Sequence, residues 1–262
     1  MKYFDSHAHY YDERFSEECD RGVDELIDAL FKENVSYVVN VGTDPTTCRA
    51  AIAQARKFTN MYTALGIHPS DTRFLSDMDS ELADIESLIK NPDSKCVCLG
   101  EIGLDYHYPD TDKGRQMRYF EAQMSLADSL GIPICIHDRE AHEDVMSVIR
   151  KYPSVTGILH SFSGSSEMAR ELVSLGYAIS FSGTLTFTNA RRPKECAAAL
   201  PRESVLIETD CPYLAPHPLR GTLNHSGNLR YTNAALASIW QISEEECAKI
   251  TEDNAKRIFG IK

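Results

Sequence analysis

Residues 95–136 read KCVCLGEIGLDYHYPDTDKGRQMRYFEAQMSLADSLGIPICI. An apolar run from Lys95 to Ile102 has the length of one strand, and polar turn residues follow it. Asp112 to Leu130 then carries Met117, Phe120, Met124 and Ala127 in helical phase, and Gly131 supplies the residue that ends a helix in the left-handed region. Ile132 to Ile136 is a second apolar run. Strand, helix, strand in that order implies two parallel strands joined by a crossover.

The same unit repeats toward both termini. On the N-terminal side, Lys2 to Ala8 is a strand. Asp20 to Asn34 is a helix, with Val23, Leu26, Ile27, Leu30 and Phe31 on one face. Val35 to Val41 is the next strand, and Asp44-Pro45 provides the N-cap and first-turn proline of a helix reaching about Phe58. Met61 to Gly66 and a helix from Asp79 to Lys90 complete that side. On the C-terminal side the strands are Thr156 to Leu159, Tyr177 to Phe181 and Val205 to Glu208. The helices there are Glu140 to Tyr152, Ser165 to Leu175, Pro193 to Leu200, Thr232 to Trp240 and Ser243 to Ile258. Eight strand–helix units in 262 residues match one α/β fold of the (β/α)8 TIM-barrel type, which needs about 250. An open doubly wound sheet is the competing architecture, but no G-x-G-x-x-G turn follows the first strand. No linker or change in charge regime interrupts the chain, so residues 1–262 are read as a single domain.

Composition narrows the function classes. With 27 basic and 39 acidic residues the net charge is −12, which excludes the broad basic face used for tight duplex binding. Nucleic acid would have to be held at a local site or through bound cations. The eight cysteines form no C-x-x-C pair and read as reduced, buried thiols, with Cys96 and Cys98 expected on one face of their strand. The opening Met-Lys-Tyr-Phe-Asp-Ser-His has no apolar signal region and no run is long enough to span a bilayer. The expectation is a cytoplasmic protein with no membrane partner and no obligate protein partner.

The chemistry lies at the carboxyl ends of the strands, which in a barrel converge on one mouth. His7 and His9 end the first strand with period-two spacing, so their rings point the same way. Glu101 ends the fourth strand, His137 the fifth, His160 the sixth and Asp210 the eighth. Any one strand-end histidine alone reads as an ordinary polar residue. Six such side chains at one mouth read as a metal centre, and they exceed the needs of one tetrahedral ion. Two divalent ions about 3.5–4 Å apart, sharing a carboxylate, would use them all. Neutral imidazoles with carboxylates suit Zn²⁺ or Mn²⁺ and tolerate Mg²⁺ less comfortably. His68, beside Pro69 at the third strand end, is read as a catalytic residue. His107, His142, His217 and His225 read as loop or surface residues. No G-x-S-x-G elbow appears, and nothing marks Cys211 as an activated nucleophile.

Together these motifs resemble the TatD family of metal-dependent deoxyribonucleases, among the amidohydrolase-like barrels. The resemblance runs nearly end to end. It covers Asp5 to His9, Gly66 to Pro69, Gly100 to Tyr106, Pro133 to Arg139, His160 to Gly164, Glu208 to Leu214, Arg220-Gly221 and Thr251 to Phe259. It implies that His7 and His9 hold one ion with Asp210, that Glu101 bridges, and that His137 and His160 hold the second. The cofactors implied are two divalent ions (Mg²⁺, Mn²⁺ or Zn²⁺). The activity implied is 3′–5′ exonuclease trimming of single-stranded DNA ends, with RNA also accepted by some members. One stretch departs from the family pattern: Thr222 to Gly227 lacks the basic residues and Asn-Glu-Pro usual after Arg-Gly, which reshapes one rim of the mouth.

On this reading the ions lower the pKa of a water molecule, Asp210 orients it and takes its proton, and Glu101 and His68 act beside it. Arg139, Arg220 and the Ser163-Gly164 amides are candidate phosphate contacts. Phe162 is a candidate stacking ring, with a core-facing aromatic equally open. Asn224, in the departing stretch, is read as a substrate contact. Two other classes compete. One is a metal-dependent ester or amide hydrolase, such as a lactonase or a deacylase of misacylated tRNA. The other is a non-catalytic metal-binding barrel.

Overall fold

The computed structural model describes residues 1–20 and 22–262. Among the described residues, strands and helices alternate as β1 (Tyr3–Ala8), α1 (Glu13–Glu18), α2 (Val23–Glu33), β2 (Val35–Gly42), α3 (Pro45–Ala55), β3 (Met61–Leu65), α4 (Met78–Lys90), β4 (Cys96–Asp105), α5 (Lys113–Leu130), β5 (Ile134–Arg139), α6 (His142–Lys151), β6 (Gly157–Leu159), α7 (Ser166–Ser174), β7 (Ala178–Phe181), α8 (Arg191–Ala199), β8 (Val205–Ile207), α9 (Leu229–Trp240) and α10 (Glu244–Phe259). The strands pair in parallel in the order β1 to β8, as the crossover pattern requires. The ring closes between its ends: Ala8 bridges to Cys211, the His9 N–H donates to the Cys211 carbonyl at 2.7 Å, and the Asp210 N–H donates to the His7 carbonyl at 2.9 Å. The result is the expected (β/α)8 barrel. No helix among the described residues is long and apolar enough to cross a membrane.

Local signals set the helix ends. Asp44 and Thr47 form a reciprocal capping box at α3, with Pro45 in its first turn. The Asp112 side chain accepts from the Arg115 N–H at the start of α5, and Gly131 ends it at φ +61°. Ser243 caps α10, whose first turn carries three glutamates and whose last carries Lys256 and Arg257, charges that complement the helix dipole.

Three readings change. The helix expected from Asp20 begins at Val23, and Arg21 within that span lies outside the described residues. β4 and β5 run three residues further than their apolar runs, to Asp105 and Arg139, because Gly103 pairs with His137, Leu104 with Asp138 and Asp105 with Arg139. The ladder thereby carries polar residues straight into the mouth. Cys96 and Cys98 do not share a face. A register irregularity at this point of the β3–β4 pair places Cys98 inside the barrel and Cys96 against the α3–α4 layer. The cysteines are all free, and most are buried.

The larger core lies between strands and helices, around Leu99, Ile102, Phe120, Met124, Ile136 and Ile149. The barrel interior is filled by Phe4, Val39, Val41, Ala64, Cys98, Cys135, Ile158, Ala178 and Leu206. α10 stoppers the end opposite the mouth, where Phe259 stacks on Phe4 with centroids 5.9 Å apart and Ala255 and Ile261 complete the seal. Gly103 is required at its position: φ is +134°, and a Cβ there would lie 2.1 Å from the His137 carbonyl oxygen.

Candidate metal centre

Every strand but β7 delivers residues from its carboxyl end to a cavity of about 620 Å³, lined among others by His9, His68, Glu101, His137, His160 and Asp210. His7 lies fully buried beneath it, its ring stacked on His160 with centroids 4.1 Å apart. The six candidate ligands meet in space, as the barrel reading expects.

Glu101 stands at their centre and divides them. Its Oε2 faces one pair, 3.3 Å from His7 Nε2 and 3.8 Å from His9 Nε2. Asp210 Oδ1 joins that pair at 3.3 Å from His9 Nε2 and 3.8 Å from His7 Nε2. Its Oε1 faces the other group, 2.7 Å from His160 Nε2, 2.8 Å from His137 Nδ1 and 3.5 Å from His68 Nε2.

The outer nitrogen of three rings meets an acceptor. His9 Nδ1 lies 2.8 Å from the Val41 carbonyl, His137 Nε2 3.3 Å from Asp105 Oδ2, and His160 Nδ1 3.3 Å from Glu208 Oε1. In a neutral ring that partner takes the hydrogen and leaves the inner nitrogen as a lone pair. The inner lone pairs of His137 and His160 then face each other at 3.1 Å, and both face a carboxylate oxygen. Such a set repels itself unless protons or cations lie between its members. Imidazoles anchored from behind and aimed at a shared carboxylate are suited to divalent cations, so the residues present fit the metal the sequence implies.

The electrostatics agree. Burial pushes the Glu101 carboxyl up, but the facing His160, His68 and His7 together hold it well below the usual carboxylate range. Burial likewise opposes charge on His160, yet Glu101 and Glu208 raise it well above an ordinary histidine. His9 and His137 are raised against burial in the same way, by Asp210 and Glu101 for the first and by Asp105 and Glu101 for the second. His7 is lowered, by burial first and then by His160. With no cation among them, these groups favour protons on His9, His137 and His160 beside an ionised Glu101.

Several positioning residues were not singled out from sequence. Buried Asp5 accepts from the Thr209 N–H at 2.9 Å, the Thr209 hydroxyl at 2.6 Å and the Ser226 hydroxyl at 2.7 Å, tying β1 to the chain after β8. Burial pushes its carboxyl up to about 7 despite those bonds. Glu208 Oε1 also accepts the Ser161 N–H at 2.7 Å, while its Oε2 is buried without a partner. Period-two spacing, Asp5 with His7 and Glu208 with Asp210, was the available signal for both. Asp105, four residues after Glu101, carried the same strand-end signal. Asp210 adopts φ +56°, a left-handed conformation that Asp tolerates better than most residues.

The expected substrate contacts divide. Arg139 lines the cavity, as does His68, the expected catalytic residue. Phe162 does not: it is buried in the outer core, and a Cβ on Gly164 would lie 2.7 Å from its ring. Ser163 and Gly164 are likewise not among the described lining residues. Arg220 points instead over the Phe187 ring, 4.5 Å from its centroid. Asn224 is fully buried as a brace, donating to the carbonyls of Thr209 at 3.0 Å and Tyr213 at 2.7 Å. Its two donors are thus consumed inside the protein. His107 and His142 pair with Glu140 and Asp138 away from the centre.

Comparison with known proteins finds the same signature. The family model described as TatD related DNase matches residues 4–260. A Bacillus subtilis protein named uncharacterized metal-dependent hydrolase YabD is 39% identical over 260 residues, covering 98% of this chain and 99% of its own. The Mycobacterium tuberculosis uncharacterized metal-dependent hydrolase TatD is 36% identical over 242 residues, covering 90% of each. Among solved structures, the TatD homologue YJJV of Escherichia coli superposes with a TM-score of 0.88 at 27% identity, covering 99% of this chain and 98% of its own.

Proposed function

Since the chain belongs to the TatD family of metal-dependent hydrolases, we propose that it is a deoxyribonuclease that trims single-stranded DNA from the 3′ end by hydrolysing phosphodiester bonds. The observation that carries this reading is the division of Glu101, one oxygen toward His7 and His9 and the other toward His137, His160 and His68. That arrangement is the one a pair of divalent ions sharing a carboxylate requires. His7, His9 and Asp210 would hold one ion, His137 and His160 the other, and Glu101 both.

Two divalent cations, Mg²⁺, Mn²⁺ or Zn²⁺, supply Lewis acidity that makes water nucleophilic near neutral pH and offsets charge building on the phosphoryl oxygens. The protein's own groups do the rest. Asp210 lines the cavity with its carboxyl held low by the surrounding imidazoles, so it is ionised and able to accept the proton of an attacking water. His68, on the cavity wall beside Glu101 Oε1, is placed to orient a phosphoryl oxygen or protonate the departing alkoxide. Arg139, at the end of β5 and half exposed to the cavity, offers a guanidinium for a phosphate not being cut. The buried floor excludes water from all but the mouth, which strengthens each of these interactions. The setting for this chemistry is proposed to be the cytoplasm.

The test is cleavage of a 3′-labelled single-stranded oligonucleotide, run beside a panel of carboxyl esters and lactones. Release of the 3′ label as a mononucleotide, abolished by chelation and restored by Mn²⁺, is expected. Turnover of the carbonyl panel with the oligonucleotide intact would replace this reading by the carboxyl-ester one.

A further inference from the structure

The large hydrophobic side chains standing exposed among the described residues are Met1, Phe74, Tyr108 and Tyr213, at 56%, 74%, 48% and 46% exposure. Three of the four are aromatic: Tyr108 and Tyr213 sit in loops at the mouth of the barrel, and Phe74 ends the short 3-10 helix Asp71–Phe74 that follows β3 on the same side. Each has a guanidinium against its ring. Arg73 lies 4.6 Å from the centroid of Phe74, Arg139 lies 5.8 Å from Tyr108, and Arg14 lies 5.8 Å from Tyr213. Arg73, Tyr108, Arg139 and Tyr213 line the cavity that holds the candidate metal centre.

Strand order places these pairs with respect to one another. Arg73 and Phe74 follow β3, Tyr108 follows β4, and Arg139 ends β5. Tyr213 follows β8, and Arg14 follows β1. In a ring ordered β1 to β8, β4 stands opposite β8. Two aromatic–arginine pairs therefore face the third across the Glu101 centre.

A ring left in water beside a cation is an unsatisfied stacking surface. A planar, weakly hydrated guanidinium over one face of a ring can also meet a phosphate. Nucleobases stack on such rings whatever their sequence. Electrostatics alone would hold a polyanion poorly here, because the chain carries net charge −12 and Asp12, Asp44, Asp71 and Asp105 also line the cavity. Bases of a duplex are already stacked on their neighbours, so only an unpaired strand can offer its faces.

We propose that Phe74, Tyr108 and Tyr213, each with its arginine, form base-stacking platforms on opposite rims of the mouth that hold a single strand across the metal centre. This assignment rests on the nuclease reading above and adds the residues that grip the strand. Stacking supplies the binding free energy and the arginines contact flanking phosphates.

The test compares kcat/KM for a short single-stranded deoxyadenosine oligomer with that for methyl p-nitrophenyl phosphate, a diester too small to reach from Glu101 to the rim. Both are measured with Mn²⁺-loaded enzyme. Phe74→Ala, Tyr108→Ala and Tyr213→Ala are each expected to lower the ratio of oligomer to small-diester kcat/KM by about tenfold, mostly through KM. Tyr108→Phe and Tyr213→Phe keep the rings and are expected within about twofold of wild type. A wild-type enzyme that cuts the oligomer, with alanine variants that cut it equally well, overturns the platforms and leaves the nuclease reading standing. A wild-type enzyme that turns over the small diester and never the oligomer overturns both, before any variant is made.

Discussion

Glu101 is the single side chain on which both halves of the centre depend. Glu101→Gln keeps its volume but replaces one acceptor oxygen by a donor, placing N–H groups against either the His7–His9 pair or the His137–His160 pair. The variant is expected to hold fewer metal ions per chain and to lose about 10³-fold in turnover, as read by elemental analysis and rate on one preparation. Full metal content with full rate would remove Glu101 from the chemistry. Glu208 acts one step further out, through the Nδ1 of His160 and the N–H of Ser161. Glu208→Gln is expected to weaken metal affinity by about 10–100-fold with an unchanged circular dichroism spectrum, measured by Zn²⁺ or Mn²⁺ titration. The candidate ligands were legible in the sequence, because histidines and carboxylates at several strand ends of one barrel have few other reasons to be there. The residues that orient them were not. Asp5 and Glu208 are buried carboxylates whose partners lie up to 221 positions away, and only the folded ring reveals what they touch.

Among the elements, β4 and β5 show why strand ends resist prediction. The apolar runs read from sequence stop at Ile102 and Ile136, yet pairing continues to Asp105 and Arg139 because Gly103 meets His137, Leu104 meets Asp138 and Asp105 meets Arg139. Gly103 permits this approach. Gly103→Ala would force a Cβ to 2.1 Å from the His137 carbonyl oxygen at a φ that L residues avoid. A loss of at least about 3 kcal/mol is expected, visible as a lower midpoint in urea, and wild-type stability would mean that the two strands are further apart. Periodicity located α5 to within a residue, because it buries Phe120, Met124 and Ala127 on one face. It passed over α1, a six-residue helix with Phe15 as its buried anchor, since so short a segment has no period to read. Phe162 and Asn224 illustrate the same limit in the loops: their sequence positions match those of contact residues, but one packs into the core and the other spends its amide bracing Thr209 and Tyr213.

For the whole molecule, the charged cluster couples folding to pH and to metal. In metal-free protein His9, His137 and His160 are raised above the unfolded value of 6.5 and His7 is lowered. The three raised groups contribute stability that is complete below about 6.5 and disappears as pH climbs through their folded values. Glu101, depressed from 4.5, contributes stability that is present above that value and lost in acid. Chelated protein is therefore expected to lose Tm as pH rises above about 6.5. Loaded protein, whose cations replace those protons, should hold its Tm across that range and exceed the chelated form at every point. Parallel scanning calorimetry on the two forms checks this, and identical curves would show that no ion sits among the imidazoles. The plug of Phe259, Ala255 and Ile261 against Phe4 has a different consequence, one of traffic. A well with a sealed floor has one doorway, so a polymer cannot be threaded through the molecule from one side to the other. On the proposed nuclease reading, a strand would dip a terminus in, give up the severed piece, and let that piece escape past its own body before the next bite.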